Sequence, residues 1–137
     1  MADETDIWAA VGGDEPFYRL VDTFYERVEA DPPLRALYPP DLATGKNHLA
    51  WFLIQRFGGP EHFNQKRGAP RLRMRHVHFK IDLQMRNAWM SAMMDAVESL
   101  PVFAPHVETM RAYFDHSATF LINHEEPDAG QSRLNVV

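Results

Sequence analysis

The chain contains no cysteine. That absence removes disulfides, thiolate nucleophiles, iron–sulfur clusters and cysteine-ligated zinc from consideration. No apolar run reaches membrane-spanning length, and the opening MADETDIW has neither the basic region nor the apolar core of a secretory signal. A cytoplasmic protein without a membrane span is the expectation. Positive charge is short overall: 14 Lys and Arg stand against 19 Asp and Glu, a net charge of −5. That balance is wrong for general nucleic-acid binding. Alternating apolar and polar runs of convincing strand length are missing too. One local shortage has the opposite sign. From His62 to Ile81 there is no carboxylate, and Lys66, Arg67, Arg71, Arg73 and Arg75 crowd together just before His76. Such a run in an acidic chain needs an anionic counterpart, and a small acidic ligand suits it better than a polyanion.

What is present is ordinary for a globular domain: 137 residues, 45% apolar, with nine Phe and three Trp. Ten prolines punctuate stretches of helical periodicity. A short helix over about Thr5–Val11 should close at Gly12–Gly13. Phe17, Leu20, Val21, Phe24 and Val28 then form one stripe from Asp14, a plausible cap, to Ala30. The next helix, Gly45–Phe57, turns Leu49, Phe52 and Leu53 inward and ends at Gly58–Gly59–Pro60. A polar, glycine-containing loop is expected from there to Pro70, followed by a short helix near Leu72–His78 that needs packing to survive. Met85, Trp89, Ala92, Met93, Ala96 and Leu100 mark a helix from Asp82 to Leu100. Val107, Met110, Phe114, Ala118 and Leu121 mark the last, Pro105–His124. The expected fold is all-α, a single domain over residues 1–126 with a flexible tail from Pro127 to Val137.

His76 stands out within this frame. Its helix has little apolar surface of its own, arginines surround it, and the chain supplies many large aromatics and methionines. A haem would satisfy all three features. Its iron takes a neutral imidazole, its ring takes apolar walls, and its two propionates take cations at the rim. A non-haem metal would need a second ligand one turn on, at Phe79 or Lys80, and no H-E-x-x-H pattern exists. His78 points to another face. Tyr25 and Trp89 sit within or beside apolar stripes and need hydrogen-bond partners when buried. Core aromatics bonded to nearby carbonyls would satisfy that requirement equally well.

Taken together, the segments AVGG (Ala10–Gly13), FYERV (Phe24–Val28), LYPPDL (Leu37–Leu42), GGP (Gly58–Pro60), RGAPRLRMRH (Arg67–His76) and RNAWM (Arg86–Met90) resemble a group II truncated haemoglobin from about Trp8 to Asn123. The RGAPRLRMRH stretch is the specific one. This resemblance implies a two-on-two helical sandwich around haem b, with His76 as the proximal iron ligand. It places Tyr25, Tyr38 and Trp89 over a bound diatomic. Gly45 occupies the position where many haemoglobins carry a gating histidine, and Leu49 and Phe52 line the same side. Phe63, Leu72, Phe79 and Met93 are expected in the remaining walls. Arg75 is the leading candidate to meet a propionate, with Arg67 and Arg71 behind it. Lys46 and His48 fall within reach of the haem edge but are expected at solvent, and His48 lies off the Gly45–Leu49 face, which argues against iron ligation. One departure from the family pattern is HVHF after the ligand, where a smaller or proline-containing step is expected.

The implied function is reversible binding of O2, and of NO, CO or other small ligands, at a pentacoordinate ferrous iron. Three distal donors imply tight, slowly released O2. They also suit redox chemistry with NO or peroxide, as a dioxygenase or peroxidase-like activity that needs an external reductant. A monomer or homodimer would serve. Two rivals from other classes remain: a non-haem metal protein using the histidines, and a cofactor-free helical module whose cationic run binds an acidic protein.

Overall fold

The computed structural model describes residues 4–76 and 80–123. His78, Phe79 and the expected tail at 127–137 lie outside the described residues. Among those described there is no strand. Eight helices follow in chain order: α1 (Ile7–Ala10), α2 (Glu15–Glu29), α3 (Pro32–Arg35), α4 (Ala43–Arg56), α5 (His62–Arg67), α6 (Leu72–Arg75), α7 (Leu83–Ser99) and α8 (Val107–Phe120). A 3-10 turn precedes α1, and another, Pro101–His106, joins α7 to α8.

The four long helices make the frame. α2 packs on both α4 and α7, and α7 packs on α8. The stripe read from periodicity in α2 is buried throughout, with Phe17, Leu20, Phe24 and Val28 fully inaccessible. Rings interlock where the helices meet. Phe17 stacks on Phe57 with centroids 5.9 Å apart and meets Phe103 edge-on at 5.5 Å. Phe57 then meets Phe114 of α8 at 6.0 Å. α7 buries more than one stripe, because Met94 and Val97 join Ala92, Met93 and Ala96. A helix covered by α2 on one side and α8 on another needs a wider apolar arc.

Local chemistry accounts for most boundaries. The Asp82 carboxylate caps α7 by accepting from the Met85 N–H at 2.9 Å, and Leu100–Pro101 ends it. Asp31 caps α3 through the Leu34 N–H. Asp14, expected as a cap, is instead helical in backbone and caps nothing. Its carboxylate accepts from the Trp8 indole N–H at 2.8 Å and meets His62 Nε2 at 3.1 Å, tying α1 to α5 across the start of α2. The polar loop expected before Pro70 contains α5, held by Gln55 and Asn64 exchanging two bonds of 3.0 Å. Gly58 has φ of +104°, and a Cβ there would lie 1.9 Å from the Thr5 carbonyl oxygen. Only glycine lets the amino-terminal segment lie against this corner.

Candidate functional site

The frame encloses a cavity of about 400 Å³, within the range of small-molecule and cofactor sites. Ten of the twelve site residues expected from the sequence line it: Tyr25, Tyr38, Gly45, Leu49 and Phe52 on one side, and Phe63, Leu72, Arg75, His76 and Trp89 around the rest. Phe79 lies outside the described residues. Met93 is a correction. It is fully buried in the packed core and takes no part in the cavity wall. Met85 and Trp89 precede it on the same stripe, but the cavity ends at the Trp89 indole. Phe24 and Phe114 close around that ring at 5.4 and 5.7 Å.

α6 is a single turn and cannot hold itself. Neighbours fix it from both ends. The Arg75 guanidinium donates back to the carbonyls of Arg67 and Ala69 at 3.0 and 3.2 Å. At the far end, the Asn123 amide donates to the His76 carbonyl at 3.4 Å, and Asn123 Oδ1 accepts from Ile81 N–H at 2.9 Å. The Asn123 N–H also donates to the Ile81 carbonyl at 2.8 Å. The end of α8 thus clamps both flanks of the chain that follows His76.

His76 itself meets the Leu72 carbonyl through Nδ1 at 2.7 Å. A carbonyl only accepts, so Nδ1 carries the proton and Nε2 carries the lone pair. That is the tautomer a metal-ligating imidazole requires, fixed by a backbone partner. No group of three or more His, Cys, Asp or Glu among the described residues is arranged to hold a metal ion. His76 thus faces a largely apolar chamber without a cluster of further metal ligands among the described residues, which fits a metal brought in by its own macrocycle.

Opposite lies a cluster of polar aromatics. The Tyr25 and Tyr38 rings meet edge-on at 5.6 Å. The Trp89 indole N–H, which only donates, acts on the Tyr38 oxygen. Burial pushes the Tyr25 hydroxyl up to about 12. Tyr38 is raised further, by burial first and by neighbouring Tyr25 second, with the Trp89 bond opposing. Both phenols are therefore protonated donors at neutral pH. A Cβ on Gly45 would stand 3.0 Å from Tyr25 Oη, so the glycine makes the space that hydroxyl occupies.

The cavity mouth is cationic. Arg67 and Arg75 lie over the Phe63 ring at 5.4 and 5.3 Å, and both reach the cavity wall. His48, expected near solvent, lines the cavity instead. Burial, then Arg67 and Arg75, hold its pKa below the ordinary imidazole value. Arg71, another candidate for an acidic group, is exposed and absent from this wall. Sequence reasoning missed Ile81, Met85, Arg86, Ser117, Ala118 and Leu121 as wall residues. Those on α8 continue the Phe114 stripe one and two turns on, beyond what core packing needs, which is the signal that was available.

Comparison with known proteins agrees with this geometry. Residues 6–123 match the family model described as bacterial-like globin. The chain is 34% identical over 116 residues to group 2 truncated hemoglobin YjbI of Bacillus subtilis (strain 168), covering 85% of this chain and 88% of that one. Among solved structures, the hemoglobin of Chloroflexus aurantiacus superposes with a TM-score of 0.83 at 47% identity, covering 86% of this chain and 98% of the other. The group II truncated hemoglobin of Bacillus anthracis gives 0.83 at 32% identity, over 88% and 98%.

Proposed function

The chain belongs to the bacterial-like globin family, as a group II truncated haemoglobin with the two-on-two fold, and from that premise we propose that it holds haem b through His76 and retains O2 tightly. Haem-based binding of small gaseous ligands comes with the family; the affinity and its residues are the proposal. The observation that carries it is the His76 Nδ1 bond to the Leu72 carbonyl, which presents Nε2 as ligand atom inside an apolar chamber lined by hydrogen-bond donors.

When bound, haem would supply an iron that takes a diatomic ligand. The chain does the rest. Leu49, Phe52, Phe63 and Leu72 exclude water from the ring faces. Arg67, Arg75 and neutral His48 offer donors to its carboxylates at the mouth. Tyr25 and Tyr38 stay protonated, and a phenol is a poor iron ligand compared with a phenolate, which supports a five-coordinate ferrous state. Trp89 orients the Tyr38 hydroxyl, so that its proton points into the ligand space alongside that of Tyr25.

A hydrogen bond to a partner bearing charge contributes about 1.5–3 kcal/mol, or roughly one to two decades in an equilibrium constant. O2 gains more from such donors than CO does, because it draws negative charge onto its outer atom. The solved truncated haemoglobin of Bacillus subtilis, 34% identical to this chain, is described as oxygen-avid. The same donors would support oxidation of NO or reduction of peroxide, given one electron at a time from an external reductant. A cytoplasmic monomer or homodimer suits either role. Among the described residues no helix is long and apolar enough to cross a membrane.

Spectra of the purified protein in ferric, ferrous and CO-bound forms test the cofactor, with a Soret band and a five-coordinate ferrous spectrum expected. Stopped-flow O2 dissociation tests the donors. Trp89→Phe is expected to release O2 about tenfold faster or more; an unchanged rate would remove Trp89 from the network.

A further inference from the structure

Apart from Arg35, which donates to the carbonyls of Tyr38, Pro39 and Pro40, the lysines and arginines of the described residues fall into two groups. Arg19, Arg27, Lys46, Arg56, Arg86 and Arg111 each lie within ion-pair distance of a carboxylate. None of the six between positions 66 and 80 has a carboxylate partner among the described residues: Lys66, Arg67, Arg71, Arg73, Arg75 and Lys80. The segment contains no acid of its own, and no element among the described residues brings one within ion-pair distance of it. With Arg67 and Arg75 assigned above to the cofactor's carboxylates, Lys66, Arg71, Arg73 and Lys80 are left as surface cations without a carboxylate partner among the described residues.

That surface also has an apolar centre. Met74 is 62% exposed and Phe120 is 50% exposed. Arg73 stacks on the Phe120 ring at 4.8 Å and donates to its carbonyl at 3.0 Å, so its guanidinium is held against that exposed ring. Exposed Met and aromatic side chains beside Arg have the composition of a protein interface. Arg71 adds an independent sign. Its φ is +46°, the one left-handed non-glycine position among the described residues. Such a conformation is costly for a side chain with a Cβ, and strain of this kind clusters where a residue has work to do. Arg71 lines a surface hollow together with Arg67, Met74 and Arg75, and two of these, Arg67 and Arg75, also line the main cavity. The patch therefore lies directly outside the mouth where the carboxylate edge of the cofactor would face.

Resting on the haem reading above, we propose that this patch docks an acidic one-electron carrier protein of the ferredoxin class, which reduces the iron between turnovers. The carrier's reduced cluster gives up one electron, ferric iron becomes ferrous, and no bond or proton changes hands. The net charge of −5 would otherwise repel such a carrier. A local positive face both overcomes that repulsion and orients the encounter.

The test uses the haem-loaded ferric protein and a reduced acidic [2Fe–2S] ferredoxin, mixed by stopped flow. The second-order reduction rate is expected to fall at least tenfold between about 10 mM and about 300 mM salt as the charges are screened. The double variant Lys66→Glu/Arg71→Glu should lower it at least tenfold at low salt, whereas Arg111→Glu leaves it unchanged. Calorimetry with oxidised ferredoxin should show binding weakened in parallel, independently of any turnover. Reduction by a neutral photoreduced flavin should not differ between the proteins, which establishes that the variants are folded and loaded. A loaded protein whose ferredoxin rate ignores salt and both substitutions overturns the docking site and leaves the haem reading standing. Saturation of the patch by inorganic phosphate, with no ferredoxin binding, overturns it in favour of a small-anion site. A colourless purified protein overturns the haem reading first, and the docking site with it.

Discussion

Single side chains decide what this pocket can do. Tyr25 and Tyr38 are useful because they keep their protons, and burial enforces that. Their hydrogen bonds to a ligand should be constant across physiological pH, so O2 dissociation measured from pH 5 to pH 9 is expected to be flat. A step in that range would assign the control to another group. The same shift has a consequence for folding. A hydroxyl whose pKa rises from 10 to about 12 on burial leaves stability intact below pH 10 and erodes it above, where only the unfolded chain ionises. Two units correspond to about 2–3 kcal/mol. Equilibrium denaturation between pH 9 and pH 12 should show that loss, and Tyr25→Phe should reduce it. Gly45 is tested by adding one carbon. In Gly45→Ala the new Cβ meets Tyr25 Oη at 3.0 Å, so the hydroxyl must shift by a few tenths of an ångström. O2 release is expected to quicken several-fold, less than in Trp89→Phe. These residues were legible in the sequence as an ordered set of motifs. Met93 was not separable from Met85 and Trp89, because helical spacing gives the face and says nothing of where along it the cavity stops.

At the scale of elements, the weakest part of the fold carries the proposed iron ligand. α6 has four residues and depends on the Arg75 bonds to the preceding loop and the Asn123 clamp from α8. Asn123→Ala removes the side-chain bonds to His76 and Ile81 while leaving the backbone pairing with Ile81 in place. The protein should still fold and bind haem, but the iron–histidine stretch in the resonance Raman spectrum of the ferrous form should shift or broaden. An unaltered band would make Asn123 a structural link alone. Gly58 tests a corner of the frame. Gly58→Ala puts a Cβ into the Thr5 backbone at a left-handed φ, and a stability loss of about 2 kcal/mol or more is expected in urea denaturation. The long helices were readable from periodicity, and their ends from Asp82 and the prolines. α3 and α5 were not. Each is a turn or two long, without a stripe of its own, and exists because Asp31 and the Gln55–Asn64 pair hold it from outside.

The molecule as a whole is built around a space it does not fill. An apolar cavity in the centre of a domain this small forgoes packing that neighbouring helices would otherwise supply. A ligand that binds only the folded chain returns that stability by mass action, about 2.7 kcal/mol when present at a hundred times its dissociation constant. Extraction of the haem should therefore lower the melting temperature well beyond any effect of surface substitutions. Thermal denaturation of loaded and stripped protein measures it, and equal midpoints would mean that the cavity is not the cofactor site. His76→Gly is expected to weaken that stabilisation, with imidazole in solution restoring part of it.

The sequence by itself determined the class of fold, the long helices and the identity of the chemical groups available, because helical periodicity, capping and the donor types of Tyr, Trp and His are local properties. It also showed a cationic segment without acids. Tertiary structure alone decided which of these groups meet. It fixed the proton on His76 through the Leu72 carbonyl, brought His48 to the cavity, kept Met93 in the packed core, and brought no carboxylate of the described residues within ion-pair distance of the cations of 66–80. Those outcomes depend on side chains far apart in the chain packing at a few ångströms, a distance that no spacing along one helix encodes.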